Sequence, residues 1–299
     1  MDSEAVVVHE TKYAEAWLRF RSDLGAVAGL VILTALVVMS VLGPIIVPED
    51  PVKTNLNRAL EPPGISGLLG RDELGRDILS RIVHGAPVSL GIGIFSVMIG
   101  ASVGVVLGLI SGYFGDKTDT VIQRVADVLL SFPSILLALS LVAALGVGLV
   151  NVVIAVGVST IPVYIKLVRG QVLAIKNEDF VKAARLLGLN SAQVMLKHIM
   201  PNVLPVIVVQ STYYIGFTIL VASGLGFLGL GVQPPTPEWG AMLGGGRTYI
   251  FSAPHILIFP GIMIFVTILA FNMVGDGLRA ALDPKAPIVV KSLRRKRHE

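Results

Sequence analysis

Long apolar runs without charged residues dominate this chain, and shorter polar segments separate them. Five runs occur, at residues 24–48, 85–115, 128–165, 199–237 and 248–275. A helix needs about 20 apolar residues to cross a bilayer. The third run has 38 residues and is interrupted from Gly146 to Asn151, so we interpret it as two helices joined by a tight turn. The pattern predicts an all-α membrane protein with six transmembrane helices, near residues 24–46, 88–113, 128–147, 151–172, 204–230 and 256–281.

The composition supports residence in the membrane. Hydrophobic residues make up 54% of the chain and charged residues 15%, and the mean hydropathy is +0.79, which is more apolar surface than a soluble core absorbs. The first run is too long for a signal peptide and lacks a small-residue cleavage site, so we expect a retained helix. The chain contains no cysteine, which excludes disulfides, thiolate metal sites and a cysteine nucleophile.

The distribution of Lys and Arg predicts the orientation. With the N-terminus inside the cell, 18 of the 24 basic residues lie in cytoplasmic segments and six lie outside. Basic residues near the ends of spans are retained on the cytoplasmic side. We therefore expect both termini in the cytoplasm. The net charge of +4 comes from residues that flank spans and from the tail 284–299, so we expect contact with anionic lipid and none with nucleic acid.

Residues 178–205 form a polar, helix-prone island between apolar runs, which is typical of a surface that binds a partner. Ala183 and Ala184 are small enough for a partner helix to approach closely. Gly188 permits a sharp turn between two short helices, and Pro201 and Pro205 are predicted to stop the second one.

Glycine recurs at every fourth residue of the second predicted span, at Gly100, Gly104, Gly108 and Gly112. These glycines share one helix face, and in lipid such a face permits close helix contact. Two interpretations stay open: an interface or gate between subunits, or packing within one bundle. A second cluster, residues 224–231, matches the dinucleotide-binding pattern G-x-G-x-x-G, but it lies in a membrane span and not after a strand, so we reject that function.

The polar segments on the other side of the membrane carry weaker signals. The segment 44–63 is rich in proline and cannot be helical throughout. From Gly70 to Gly85, apolar residues at four-residue steps predict a short amphipathic helix at the interface. Trp239 and Tyr249 are typical of interfacial anchors. The alternative is that Glu238, Trp239 and Arg247 contribute to an outer gate or to contact with a binding protein.

Several segments together resemble one family. The order Ala183-Ala184, Gly188 and Ile199-Met200-Pro201 resembles the cytoplasmic coupling loop of ABC-importer permeases, except that Lys182 replaces the usual acidic residue, whose pairing then passes to Glu178 or Asp179. Between residues 70 and 284 the amino-acid sequence is similar to that of the C-type permease of dipeptide and oligopeptide importers. The similar segments are Gly70–Gly85, Gly112–Gly115, Arg124–Asp127, Ser131–Pro133, Phe227–Gln233, Pro237–Gly240, Asn272–Arg279 and Leu282–Pro284.

The resemblance implies a type I importer permease in the prokaryotic inner membrane. Its implied partners are a homologous B-type permease, two cytoplasmic ATPases that bind ATP-Mg, and an external peptide-binding protein. The chain itself has no phosphate-binding loop and is expected to hold no cofactor or metal and to catalyse no reaction. The residues implied to couple it to the ATPases are Glu178, Asp179, Phe180, Lys182, Ala183, Ala184, Arg185 and Gly188.

The implied domains are a cytoplasmic N-terminal segment (1–23), a first span with an external segment (24–87), a permease domain (88–283) with its coupling loop at 176–203, and a basic tail (284–299). The solute stays open, because related permeases carry dipeptides, longer peptides, glutathione or nickel complexes.

Two other classes fit less well. An ion-coupled transporter needs a carboxylate or His at mid-membrane, whereas Lys166, Arg169, Asp276 and Arg279 are expected near span ends, where long side chains reach the interface. An intramembrane hydrolase needs a nucleophile and a base. The five histidines lie near interfaces or tails, and His-Glu-x-x-His does not occur. The letters Gly-x-Ser-x-Gly occur at residues 100–104, but inside the second predicted span and not at a strand-to-helix turn, so no nucleophile elbow is present.

Overall fold

The computed structural model describes residues 12–47, 49–64 and 67–283. These ranges are helical apart from connecting turns and two isolated β-bridges. The basic tail and residues 1–11 lie outside the described residues. The helices are α1 (Lys12–Ser22), α2 (Leu24–Ile46), α3 (Ile78–Phe114), α4 (Asp116–Leu130), α5 (Ser134–Leu145), α6 (Leu149–Ile175), α7 (Asp179–Leu186), α8 (Ser191–Gln193), α9 (Met200–Phe227), α10 (Trp239–Gly246) and α11 (His255–Leu282).

Five helices are long and apolar enough to cross a membrane: α2, α3, α6, α11 and the helix that runs from Ser191 to Phe227. The sixth crossing requires α4 and α5 together, which meet at 90°. The single helix predicted at 128–147 is therefore wrong. Pro133 precedes the first residue of α5 and disfavours a helical conformation at Phe132, which explains the break. With 12 residues, α5 is only about 18 Å long and cannot cross alone.

The turn predicted between the third and fourth spans is confirmed. The helix α5 ends at Leu145 and α6 begins at Leu149. Between them Gly146 has φ +94° and Gly148 has φ +135°, which are conformations that glycine adopts without strain. Asn151 closes the turn, because its side-chain amide donates hydrogen bonds to the carbonyl oxygens of Leu145 and Gly146.

The second span begins earlier than predicted. The helix α3 starts at Ile78 and not at residue 88, so the expected domain boundary at 87/88 falls within a continuous helix. Its N-cap is Asp77, whose carboxylate accepts the Ser80 N–H at 2.7 Å. The separate amphipathic helix predicted from Gly70 to Gly85 is wrong, since residues 70–77 form a non-helical turn. At 37 residues α3 is about 55 Å long, and it extends beyond the hydrocarbon core.

Residues 49–77 link α2 to α3, and their described part forms a compact segment that we call the α2–α3 clasp. Its centre is the buried carboxylate of Asp72. One oxygen lies 2.6 Å from Arg76 Nε and 3.4 Å from Arg81 Nε, and the other accepts the N–H groups of Leu74 and Arg76. The Leu60 N–H donates to the Asp72 carbonyl oxygen at 3.0 Å. The clasp is therefore folded around paired charges and not around an apolar stripe.

The glycine face of α3 packs against α6 of the same chain. A Cβ atom on Gly108 would lie 2.8 Å from both the Ile165 carbonyl oxygen and Val168 Cβ, so the two backbones are in direct contact. The other three glycines of this face also contact α6 closely: Gly100 lies against Gly157, Gly104 against Ile161 and Gly112 against Val172. Of the two interpretations of this glycine face, the structure shows packing within one bundle.

The prolines predicted to stop the second helix of the polar island do not do so. Pro201 occupies the first turn of α9 and Pro205 lies inside it. Residues Val194–Ile199 adopt the wider π-helical form, and the Met200 N–H donates to the Met195 carbonyl oxygen. This register tolerates Pro201, which cannot donate a backbone hydrogen bond. From Ser191 onward, the polar island and the fifth span are thus one helix.

We expect Gly108→Ala to lower the stability of the protein, because the added methyl group must displace backbone and Val168; overpacking of this kind costs about 1–3 kcal/mol. The matched control is Gly170→Ala on α6, where a Cβ meets nothing within 4 Å. There the greater helix propensity of alanine predicts an unchanged or raised melting temperature. Thermal unfolding in detergent measures the melting temperature of both variants. Equal shifts would argue against direct backbone contact between α3 and α6.

We expect Asp72→Asn to loosen the α2–α3 clasp, because it leaves Arg76 and Arg81 buried without their shared carboxylate, a loss of about 3–5 kcal/mol. The exposed pair Lys166–Asp127 supplies the control. Asp127→Asn should cost less than about 1 kcal/mol. The measurement is thermal unfolding combined with protease cleavage within residues 49–77. A wild-type cleavage rate in Asp72→Asn would argue against the clasp.

Candidate functional site

The helix α7 has one face buried in this chain and one face exposed. Val181 and Ala184 are buried and pack in a core that includes Val194, Ile199 and Val203. On the other face Phe180 is 43% exposed and Leu186 is 89% exposed. Because the buried face holds α7 on the bundle, the exposed apolar face is left for another molecule.

The end of α7 is fixed by Gly188. The sharp turn expected there is present, and Gly188 adopts a left-handed conformation with φ +80°. The Gly188 N–H donates to the Arg185 carbonyl oxygen at 3.0 Å, and the Leu189 N–H donates to that of Ala184 at 3.3 Å. These two bonds form a Schellman motif, which sets the angle between α7 and the following helix. Leu187 stays 82% exposed beside the turn.

The helix after the turn begins with a reciprocal cap. The Asn190 side chain accepts the Gln193 N–H at 2.9 Å, and the Gln193 side chain accepts the Asn190 N–H at 3.1 Å. From there α8, the π-helical turn and α9 continue without a break to Phe227. One turn therefore connects α7 to the base of a transmembrane helix.

The predicted coupling residues divide between the two faces. Ala183 is exposed but Ala184 is buried at 2% exposure, so Ala184 contacts this chain's own core and not a partner. Lys182 Nζ lies 3.1 Å from Asp179 Oδ1, so the acidic partner of Lys182 is Asp179. Glu178 precedes α7 and its side chain makes no cap. The remaining residue, Arg185, stacks over an aromatic ring of α3.

Three contacts attach this end of α3 to its neighbours. The Arg185 guanidinium lies 4.9 Å from the centre of the Tyr113 ring. Lys176 Nζ donates to the Gly112 carbonyl oxygen at 2.9 Å. Ser111 donates to the Asp119 carboxylate of α4 at 2.5 Å. The first of these contacts holds α7 against α3, in addition to its apolar core, and the other two join α3 to α6 and to α4.

Asp119 was not predicted from the sequence. Its two oxygens accept hydrogen bonds from Arg169 Nε and Nη2 at 2.5 and 2.6 Å, a bidentate pair between α4 and α6. Lys166 pairs with Asp127 of α4 at 2.5 Å. Reaching to the interface is therefore not the whole explanation for these two basic residues. The i, i+8 spacing of Asp119 and Asp127 along α4 was the available signal.

The residues predicted for an outer gate or binding-protein contact lie at the opposite end of the bundle. Glu238 and Trp239 are buried, and Arg247 is exposed. Glu238 caps α10 by accepting the N–H groups of Gly240 and Ala241 at 2.9 and 2.8 Å. Burial raises the pKa of the Glu238 carboxyl, against the effect of these N–H groups.

The indole of Trp239 likewise serves the fold. It is fully buried, and its Nε1 donates to the Ile82 carbonyl oxygen at 3.1 Å. The Ser89 hydroxyl accepts the Trp239 N–H and donates to Glu238, each at 3.1 Å. The prediction that Trp239 is an interfacial anchor is therefore wrong. Of the three residues, only Arg247 lies where another protein reaches it directly.

Within residues 12–47, 49–64 and 67–283, no group of three or more His, Asp or Glu side chains has the geometry of a metal site. The α7 surface presents exposed apolar side chains, with the Lys182–Asp179 pair beside them.

Two family models match the chain. Residues 104–286 match the family model described as binding-protein-dependent transport system inner membrane component. Residues 11–63 match the N-terminal TM domain of oligopeptide transport permease C.

Curated relatives match nearly the whole chain. The dipeptide transport system permease protein DppC of Alkalihalophilus pseudofirmus is 43% identical over 91% of this chain and 90% of its own length. The di/tripeptide transport system permease protein DppC of Pseudomonas aeruginosa is 43% identical over 95% of each chain. The glutathione transport system permease protein GsiD of Pectobacterium atrosepticum is 45% identical over 92% of each.

A solved structure is similar in fold. The chain from the inward-facing MetNI methionine ABC transporter superposes with a TM-score of 0.56 at 19% identity, over 68% of this chain and 97% of that one. The helical bundle is thus of the type I importer permease fold. The chain belongs to the binding-protein-dependent transport system inner membrane component family, as a C-type permease of the dipeptide/oligopeptide ABC importers.

Proposed function

We propose that this chain forms, with a homologous B-type permease, the membrane path of an ATP-driven importer for di- or oligopeptides. The observation that carries the proposal is near full-length similarity to permeases named for dipeptides, di/tripeptides and glutathione. Glutathione is itself a small peptide, and the relatives named for it are about as similar as those named for dipeptides. The proposed solute class is therefore the small peptide.

The chain supplies the path, and its partners supply the energy and the selection. Two cytoplasmic ATPases bind ATP-Mg, and an external binding protein delivers the peptide. The sequence of this chain contains no phosphate-binding loop of the form G-x-x-x-x-G-K-[ST], which supports this division. The complex resides in the inner membrane, with both termini and α7 of this chain in the cytoplasm.

We propose the exposed face of α7 as the ATPase-docking surface. Phe180 and Leu186 supply apolar contact, Ala183 lets a partner helix approach, and the Lys182–Asp179 pair lies beside them. Closure of the ATPase dimer would displace α7 and, through the Gly188 turn, the helix that contains α9. Reversing the inward and outward populations from 1:99 to 99:1 requires about 5.5 kcal/mol of differential binding, which ATP-driven closure supplies.

We expect Ala183→Trp to abolish ATPase capture while the protein still inserts and pairs with the B-type permease. The indole would project from the exposed face of α7 into the space of the partner. Gly188→Val provides a second variant, because a valine at φ +80° is strained by about 1–2 kcal/mol although its side chain has room. Co-purification of the ATPases and peptide uptake in proteoliposomes measure both effects.

The control for these variants is Ala192→Trp on α8, which has the same change of side chain on the polar island but outside α7. It should keep more uptake than Ala183→Trp. Wild-type uptake by both Ala183→Trp and Gly188→Val would show that α7 does not couple the chain to an ATPase.

We expect single-cysteine labelling to report six crossings, because the chain has no native cysteine to interfere. Cysteines at Asn55 and Gln233 should react with a membrane-impermeant maleimide in intact cells. Cysteines at Asn190 and Ser292 should react only after permeabilisation. The basis is the excess of Lys and Arg in the segments assigned to the cytoplasm. The reverse labelling pattern would invert the topology and place α7 outside the cell, away from any ATPase.

A further inference from the structure

An apolar groove of about 330 Å³ lies where α1 meets α2 and α11, and we call it the α1 groove. Its walls are apolar side chains from all three helices, among them Ala16, Trp17 and Phe20 of α1, Leu30 of α2, and Val274 and Leu278 of α11. Pockets that bind small ligands are typically about 300–1,000 Å³ and mostly apolar. By volume and lining, the α1 groove fits the hydrocarbon part of a ligand.

The floor of the groove is closely packed. A Cβ atom on Gly277 of α11 would overlap Ala26 Cβ of α2 and would lie 3.0 Å from a ring carbon of Phe20. The three helices thus meet in direct contact beneath the groove. The helix α1 is also attached to the end of α11, because Arg19 Nη1 donates to the Asp283 carbonyl oxygen at 3.0 Å. The groove is therefore a formed feature of the bundle.

The groove opens beside the most exposed of the long helices. In the most apolar window of α2 only 17% of the residues are buried, the smallest share among the five candidate spans. Leu30 is 38% exposed and Trp17 is 51% exposed. Tryptophan is enriched where a membrane meets water, and exposed apolar side chains at this level contact lipid. The occupant that the lining favours is therefore an acyl chain.

A basic residue marks the headgroup end of the groove. Trp17 and Arg21 are four residues apart, so they share one face of α1. Arg21 is exposed, and among the residues that the structure describes no carboxylate pairs with it. The acidic residue that follows it, Asp23, is the N-cap of α2 and accepts the N–H groups of Gly25 and Ala26 at 2.8 and 3.1 Å. The Arg21 guanidinium is thus one helical turn from the groove and open to a ligand.

The two parts of this surface differ in the chemistry that they select. The groove takes hydrocarbon, whereas a guanidinium presents a fork of N–H donors that fits a phosphate group. Amphipathic helices with an aromatic apolar face and basic residues lie in the membrane interface and are attracted to anionic lipid. A zwitterionic headgroup supplies its own cation, so it gains less from Arg21 than an anionic headgroup does.

We infer that the α1 groove is a binding site for an anionic phospholipid, whose acyl chain lies against Trp17 and Phe20 and whose phosphate pairs with Arg21. The bound lipid joins α1 to α2 and α11 at the end of the bundle that contains α7. This inference goes beyond the proposed transport function, because it does not depend on the solute that the complex carries.

The test uses the full chain in nanodiscs and the fluorescence of its tryptophans. The chain has two tryptophans, and Trp239 is fully buried, so Trp17 is the one that lipid reaches. Brominated acyl chains quench tryptophan on contact. Brominated phosphatidylglycerol and brominated phosphatidylcholine are compared at equal mole fraction in the same lipid mixture. Phosphatidylglycerol should bind about fivefold more tightly, since one basic residue near the membrane surface contributes about 1 kcal/mol toward anionic lipid.

The variants separate the headgroup from the acyl chain. Arg21→Gln should abolish the preference for phosphatidylglycerol and leave quenching by phosphatidylcholine unchanged. Its control is Arg124→Gln, which removes an exposed arginine of α4 and should keep the fivefold preference. Ala16→Phe fills the groove and should reduce quenching by both lipids. Ala28→Phe makes the same change at an exposed position of α2 outside the groove and should not.

Four results would overturn the site. They are equal affinity of the wild type for the two lipids, a preference that survives Arg21→Gln, equal loss of the preference in Arg21→Gln and Arg124→Gln, and full quenching in Trp17→Phe. The third would assign the preference to the charge of the whole surface, and the fourth would place the acyl chain away from the groove. The readout requires no transported peptide, so failure of the proposed function leaves this test unaffected.

Discussion

The contact on which the rest of the structure depends is the backbone-to-backbone seam between α3 and α6. In a bilayer the surroundings are as apolar as the side chains, so burial of apolar surface does not drive helices together. Close van der Waals contact between helices stabilises the bundle instead. Gly100, Gly104, Gly108 and Gly112 bring α3 so near to α6 that any added side chain meets a carbonyl oxygen or a Cβ atom. The gain is dispersion over many short contacts, and it requires glycine at each of these positions.

The seam determines where the candidate coupling surface lies. Because α6 is pressed against α3 as far as Gly112, Lys176 reaches the Gly112 carbonyl oxygen and Arg169 reaches Asp119 of α4. The helix α7 begins three residues after Lys176. Its position is therefore set by the end of the seam, and Arg185 over Tyr113 adds a further contact to α3.

The two faces of α7 make it a rigid connector. Ala184 and Val181 are packed in a core shared with Val194 and Ile199, and packed interiors transmit displacement because they compress little. The next connection is a single left-handed turn at Gly188. If the exposed face binds an ATPase, as proposed, a displacement of α7 would move the helix that contains α9, because residues 187–190 are all that separates α7 from that helix.

Local signals predicted much of this arrangement. Apolar length predicted most of the spans, paired glycines predicted the turn between α5 and α6, and Gly188 predicted the sharp turn after α7. The break between α4 and α5 also had a local signal, because the residue before Pro133 disfavours a helical conformation. The long apolar run around Pro133 led instead to the prediction of one continuous helix.

The predictions that were wrong concern residues whose conformation depends on contacts distant in the sequence. The four-residue spacing from Gly70 to Gly85 is typical of a helix, but the pairing of Asp72 with Arg81 and the bond from Leu60 hold residues 70–77 in a turn. The face of α7 was equally undetermined. Its largest apolar residues, Phe180 and Leu186, are the exposed ones, while the smaller Val181 and Ala184 are buried. Only the tertiary fold distinguishes the two faces.

Charge serves opposite purposes at the two ends of the bundle. In the α2–α3 clasp, Asp72 is saturated by Arg76, Arg81 and backbone N–H groups, and a buried pair of this kind is costly to separate. At the α7 end, the pairs Lys166–Asp127 and Lys182–Asp179 are exposed, and exposed pairs of this kind separate at little cost in free energy. A transporter requires both arrangements, since a segment that must stay closed and a surface that must rearrange place contrary demands on the same kind of interaction.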